Sequence, residues 1–263
     1  MKLRIGHLYP EAMNLYGDRG NILALLQRAR WRGIAATVIP IGLGEPFDPA
    51  AVDLVFAGGD QDREQRLVAA DLVGAKGEAI RAAIEQGMPA LVVCGSYQLF
   101  GRYYQPASGP AIPGVGVFDL VTEHPGAAVT RCVGNLAVDW EGYLLVGFEN
   151  HGGRTYLGPG GQPLGRVIAG YGNNGQDGFE GARYRNAFGT YLHGALLPKN
   201  PRLADELIRL ALAYRGQEVE LPPLDDAIEE QARQVALARA LSERHAQQNV
   251  GATRRQPPHR PHS

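Results

Sequence analysis

A chain of 263 residues, 44% hydrophobic and 20% charged, is long enough for one large α/β domain or two small ones and can bury a sizeable core. Its 26 basic and 27 acidic residues leave a formal charge of −1, which gives no electrostatic footprint for nucleic acid or an anionic membrane. No apolar run approaches the roughly 18–20 residues of a membrane span, and the first residues lack a signal-peptide core, so a cytoplasmic protein is expected. Two cysteines, Cys94 and Cys132, cannot build a disulfide framework or a cysteine-based zinc site. No metal site is expected.

Residues 3–8 read as a strand and 18–30 as a helix, with Asp18 at its N-cap and Gly33 as its stop. Strands follow at 34–41 and 52–57, the second running into Gly58-Gly59-Asp60. A helix at 77–86 closes on Gly87 and Pro89, and 90–93 is an apolar run of the kind buried on both faces of a parallel sheet. This β-α-β-α-β rhythm predicts a doubly wound sheet with its functional groups at the strand carboxyl ends. From 103 to 191 short β-rich pieces at 115–121, 131–140, 144–148, 166–169 and 187–191 alternate with Gly/Pro/Asn loops. They predict an antiparallel or mixed extension of the main sheet. Residues 200–214 form a helix with Pro201 early in it. A longer helix over 224–247 carries a thin apolar stripe of Ile228, Val235, Leu237 and Leu241; it fits a helix on the domain surface or a docking arm. Residues 1–215 are therefore expected to form one domain, 216–248 a helical extension and 249–263 a disordered tail.

The segment Val92-Val93-Cys94-Gly95-Ser96-Tyr97-Gln98 carries the chemistry. A sharp strand-to-helix turn exposes a thiol above the sheet, the helix start favours thiolate, and the Gly95 amide points where an acyl oxyanion develops. Taken alone, Cys94 fits a buried structural cysteine equally, as Cys132 does. A nucleophile needs a base. His193, at the end of the β-like run 187–191, is the favoured one of seven histidines, with His151 its rival. Gly58-Gly59 ends a neighbouring strand, and Gly59 is the candidate second oxyanion donor, although turns use glycine everywhere. Nucleophile, base and anion stabiliser together make acyl transfer.

At these residues the sequence resembles the class I (triad-type) glutamine amidotransferases, in particular their cobyric-acid-synthase-like branch. The resemblance rests on Tyr16-Gly17-Asp18-Arg19-Gly20-Asn21, Gly58-Gly59-Asp60-Gln61-Asp62-Arg63-Glu64-Gln65 and Cys94-Gly95-Ser96-Tyr97-Gln98-Leu99-Phe100-Gly101. It continues through Phe148-Glu149-Asn150-His151, Gly172-Asn173-Asn174-Gly175 and Gly189-Thr190-Tyr191-Leu192-His193-Gly194, and it spans residues 2–214. It implies a flavodoxin-like α/β fold, with a central mostly parallel sheet, an antiparallel extension and flanking helices. It also implies that Cys94 attacks the amide of glutamine to leave a thioester while His193 moves the protons. Arg131 looks like the family's substrate-binding arginine, suited to an α-carboxylate; a solvated strand-edge arginine is its ordinary reading. Gln98 either lines the pocket or only stabilises the turn.

Within the branch the sequence is similar to glutaminase subunits that form a heterodimer with a Mur-ligase-like (MurT) subunit. That likeness implies ammonia for amidating the D-glutamate of lipid II in peptidoglycan synthesis. No cofactor is then expected in this chain, and no Gly-x-x-x-x-Gly-Lys-Ser/Thr loop occurs; ATP and Mg belong to the partner. Two departures stand out. Val92 occupies the usual glycine position before the nucleophile, and Ala195 the usual glutamate position after the histidine. An unoriented imidazole is a poor base, so a partner acid is expected to complete the triad, with Glu149 the in-chain alternative. A glutaminase for another synthase such as a corrinoid amidase, a catalytically silent scaffold and a γ-glutamyl hydrolase are the other readings.

Overall fold

The computed structural model describes residues 1–13, 18–60, 62–126, 128–217 and 220–253. In chain order the elements are β1 (Lys2–Leu8), α1 (Arg19–Trp31), β2 (Ala35–Ile41), β3 (Leu54–Ala57), α2 (Asp62–Leu72), α3 (Ala75–Glu85), β4 (Ala90–Val93) and α4 (Gly95–Leu99). The β-rich middle holds β5 (Tyr103–Gln105), β6 (Ile112–Pro113), β7 (Leu120–Glu123), β8 (Cys132–Trp140), β9 (Tyr143–His151), β10 (Arg154–Leu157), β11 (Gly165–Ala169), β12 (Phe179–Glu180), β13 (Ala182–Tyr184) and β14 (Ala187–Thr190). Helices α5 (Pro201–Tyr214) and α6 (Ala227–Thr253) follow.

The central sheet has the order β13-β14-β4-β3-β1-β2 and is parallel except for β13. Strands β3 and β4 are buried at every residue, as their uninterrupted apolar runs require of strands covered on both faces. Their register puts Leu8 beside Ala57, Ala57 beside Val92 and Thr190 beside Val93. The segments leaving β1, β3, β4 and β14 therefore emerge along one edge. Order reverses between β1 and β3, and ligands of such sheets collect in that crevice.

The middle of the chain differs from expectation. Only the β13–β14 hairpin joins the main sheet; the other strands form two separate four-stranded sheets, β10-β7-β5-β6 and β12-β11-β8-β9. The reason is edge chemistry. β13 takes the outer row of β14 hydrogen-bonding groups, so the remaining strands satisfy theirs among themselves. Bridges link the main sheet to the middle of the chain, the His193 amide donating to Phe148 O at 2.7 Å and the Arg183 amide to Gln162 O at 2.8 Å. Helix α2 had not been expected; Gln65, Val68, Ala69 and Leu72 are its buried stripe.

Helix α6 starts three residues later than expected and runs on to Thr253, so residues 249–253 of the expected tail are helical; residues 254–263 lie outside the described residues. It lies on the third sheet, where Ala240 closes a small core with Ala137, Val146 and Ala169. Leu237 and Leu241 pack there, while Ile228 and Val235 stay exposed. Among the described residues no helix is long and apolar enough to cross a membrane.

Candidate active site

Cys94 sits between β4 and α4 at φ +49° and ψ −107°, a backbone conformation that a residue with a Cβ adopts only under strain. Its amide continues the parallel ladder onto Thr190 O at 2.8 Å, which fixes the turn against β14. Helix α4 is one short turn of five residues, so backbone amides at its start, rather than a long macrodipole, define the field around the sulfur. Val92 needs no glycine relief: Gly189, its register partner, gives up its side chain to the Tyr97 ring, where a Cβ would lie 2.8 Å from Phe118.

Three chain segments converge at Gly59. A Cβ there would lie 2.8 Å from Cys94 Cβ, 3.2 Å from His193 Cε1 and 3.3 Å from the Gly95 amide nitrogen. Only glycine fits. The His193 ring thus lies beside Cys94 across Gly59, and its Nδ1 is 3.4 Å from Asp18 Oδ1. Burial alone would hold the imidazole neutral; charge on Cys94 and the Asp18 carboxylate outweigh it and raise the histidine pKa.

Asp18 is the residue that sequence reasoning missed. It precedes α1 but makes no side-chain cap; it is fully buried, with Oδ2 accepting from the Gly59 amide at 3.0 Å. The chain therefore places an acid of its own beside Nδ1, where the expectation was an acid from the partner or, within the chain, Glu149. Ala195, at the usual glutamate position, packs so closely on α1 that a Cβ added at Gly20 would lie 2.6 Å from its own. Glu149, the in-chain alternative, instead accepts from the amides of Tyr171 and Gly172 and lies 3.4 Å from His151. The Gly59 amide, expected in the oxyanion hole, donates to Asp18 here. Gly95 remains beside the sulfur.

A cavity of about 470 Å³ opens at Cys94, lined by Gln65, Gln98, Tyr104 and His151, by Asp60 and Asp62, and by Arg63 and Arg131. Arg131 is exposed and gripped by Asn150 through Nε at 3.1 Å and Nη2 at 3.0 Å. Gln98 both lines the cavity and ties the turn down, donating to Tyr191 OH at 3.0 Å and accepting from Gln65 at 2.8 Å. His151 has both ring nitrogens engaged, Nδ1 with Gly153 O and Nε2 with Glu149, so it is not the base for Cys94. Burial pushes the Cys132 thiol up to about 11, which makes it inert packing. The 170–178 loop is a tied β-connection in which Asn173 holds Tyr97 OH and Gly181. Tyr16 and Gly17 of the first motif lie outside the described residues. No group of three metal-binding side chains occurs among the described residues.

The model of the CobB/CobQ-like glutamine amidotransferase domain matches residues 4–201. The subunit GatD of lipid II isoglutaminyl synthase (glutamine-hydrolyzing) from Staphylococcus aureus is 42% identical over 91% of this chain and 96% of its own length. The GatD subunit from Streptococcus pneumoniae is 41% identical over 88% of each. A cobyric acid synthase from Pelotomaculum thermopropionicum is 34% identical, but the match covers only 31% of that protein. In fold, the PurLQS structure from Thermotoga maritima superposes with a TM-score of 0.51 at 17% identity, over 82% of this chain and 100% of that one. With the cysteine turn, its histidine and its cavity in place, the chain belongs to the CobB/CobQ-like glutamine amidotransferases.

Proposed function

We propose that this chain is the glutaminase subunit of a lipid II isoglutaminyl synthase, hydrolysing glutamine to glutamate and ammonia for a partner ligase. The observation that carries it is the meeting of Cys94, His193 and Asp18 around Gly59, at the mouth of a cavity holding both carboxylates and guanidiniums. A free amino acid carries both charges. Arg131, steadied by Asn150, suits the α-carboxylate bidentately, and Asp60 and Asp62 suit the α-ammonium.

Cys94 Sγ attacks the side-chain carbonyl carbon, and the Gly95 amide faces the oxyanion that forms. His193 gives its proton to the amide nitrogen, ammonia leaves, and a glutamyl thioester remains. The same imidazole then takes a proton from water, whose oxygen displaces the sulfur to give glutamate. Asp18 holds the ring by Nδ1 and stabilises the imidazolium that stands beside the Cys94 thiolate before the first proton transfer and again after the second. Gln98 keeps the turn and the pocket wall in register. The ATP-dependent step, an acyl phosphate on the D-glutamate α-carboxyl, belongs to a MurT-like Mur ligase with its own ATP and Mg. Ammonia must cross to it unprotonated, because ammonium is no nucleophile. A stable heterodimer in the cytoplasm follows from that chemistry. The match to whole GatD subunits favours this acceptor over a corrinoid, since cobyric acid synthases are about three times as long as the part aligned.

The test pairs two nitrogen sources. The complex with Cys94→Ala is expected to amidate lipid II with ammonium chloride but not with glutamine, and to resist labelling by diazo-oxo-norleucine. Glutamine-driven amidation by that variant would overturn the reading.

A further inference from the structure

The strand end that follows Phe148 carries Glu149 and His151, both buried and neither used in the chemistry above. His151 Nδ1 lies 2.8 Å from Gly153 O. A carbonyl only accepts, so Nδ1 carries a hydrogen. On a neutral ring Nε2 is then a bare lone pair, and it faces Glu149 Oε2 at 3.4 Å. Lone pair against carboxylate is repulsive between two buried side chains, where the local dielectric is low. One proton must lie between them. The rest of the Glu149 carboxyl receives amides, from Tyr171 at 2.6 Å and Gly172 at 3.0 Å, and a protonated carboxyl keeps acceptor capacity for both.

We propose that Glu149 holds this proton and donates it to His151 Nε2, and that the pair acts as a positioning device for the wall of the glutamine pocket. The claim about the pocket rests on the glutaminase reading; the location of the proton does not. Burial favours the uncharged arrangement over imidazolium and carboxylate, raising Glu149 to about 7 and lowering His151 to about 4. The charged and titratable groups around the pair are Arg154, Glu180, His193 and Cys132. Arg154 disfavours an imidazolium and Glu180 favours one.

His151 reaches the pocket in two ways. Its ring stacks on Tyr191 at 3.7 Å and 8°, and Tyr191 OH receives Gln98 Nε2. Its Nδ1 fixes Gly153, where a Cβ would be 2.9 Å from Gln98 Nε2; at Gly152 one would be 3.1 Å from Arg131 Nη1. The glycine wall thus lies within a methyl group's width of both Arg131 and Gln98. When the proton is lost, Nε2 faces a carboxylate, the ring tilts, and both pocket residues lose their backing. Affinity for glutamine should fall while the sulfur and its base are untouched.

Two measurements test this. Nitrogen NMR of histidine-labelled full chain at neutral pH should find His151 neutral with its proton on Nδ1; a proton on Nε2, alone or with one on Nδ1, overturns the proposal whether or not glutamine is hydrolysed. In steady-state kinetics, KM for glutamine should rise about three- to tenfold as pH passes about 7, with kcat moving less. Glu149→Gln still donates to Nε2 but cannot ionise, so its KM should be flat across that range, from a higher baseline because the carboxamide gives up one backbone acceptor. Equal pH profiles in the two proteins overturn the proposal. Should Glu149→Gln fail to fold, the wild-type NMR result still decides it. Absence of any glutamine turnover with the expected tautomer present would instead count against the glutaminase reading.

Discussion

Aspartate before a helix ordinarily hydrogen-bonds the first free amides of that helix. Asp18 leaves α1 uncapped and spends its two oxygens on the Gly59 amide and His193 Nδ1. The stability given up at the helix end is exchanged for an oriented base. Asp18→Asn keeps the shape and removes the charge, so kcat for glutamine hydrolysis should fall about 10²-fold or more. The alkaline limb of kcat should also move to lower pH, because Asp18 is one of the groups that hold the His193 proton. Both are read from kcat against pH in the complex. Wild-type behaviour there would mean that a partner acid does the work. Cys94 and His193 were legible because a buried strand ending in Cys-Gly and a β-run ending in His-Gly are local patterns. Asp18 was not, since its local context spells a helix cap and its partners lie 41 and 175 positions away.

At the scale of elements, the β4–α4 turn stores strain where the chemistry is. A cysteine at φ +49° presents its sulfur outward, and glycine would hold the same backbone without the Cβ penalty. In most sites alanine is more stable than glycine. Here the order should invert, with Cys94→Gly melting higher than Cys94→Ala by the equivalent of about 1 kcal/mol; a calorimetric scan of the two inactive variants reads the difference. Strands β3 and β4 could be foreseen because doubly covered strands are continuous apolar runs. Helix α2 was hidden by the glycine-rich motif that opens it, although acidic residues in its first turn and the Val68–Leu72 spacing were visible signals. Strand pairing in the middle was not legible. Short alternating strands state that they have two faces, but which neighbour they choose depends on the edge that β13 closes.

Across the whole molecule, buried ionisable groups oppose one another. Burial raises Glu149 and Glu180 to about 7 and lowers His7 and His151 to about 4. Between about pH 4.5 and 7 the native state keeps two carboxyl protons that the unfolded chain has released, so this part of the stability falls as pH rises. Over nearly the same range the unfolded chain holds two imidazole protons that the native state lacks, and that part rises. The melting temperature should therefore be nearly level from about pH 4.5 to 6.5. Glu180 offers the means to tilt it. Its Oε1 accepts from Thr190 Oγ1 at 2.7 Å and from the Tyr191 amide at 2.6 Å, whereas Oε2 has no partner among the described residues. In Glu180→Gln the carbonyl oxygen keeps both bonds and the ionisation is gone. The falling contribution is halved while the rising one stays. The variant should gain on wild type steadily as pH rises from about 4.5 to 7, by up to a few kcal/mol at the upper end. Calorimetric scans of both proteins at matched ionic strength measure that gap. A constant gap would show that Glu180 is already ionised at the acid end, with the free Oε2 satisfied by a charge carried elsewhere in the site.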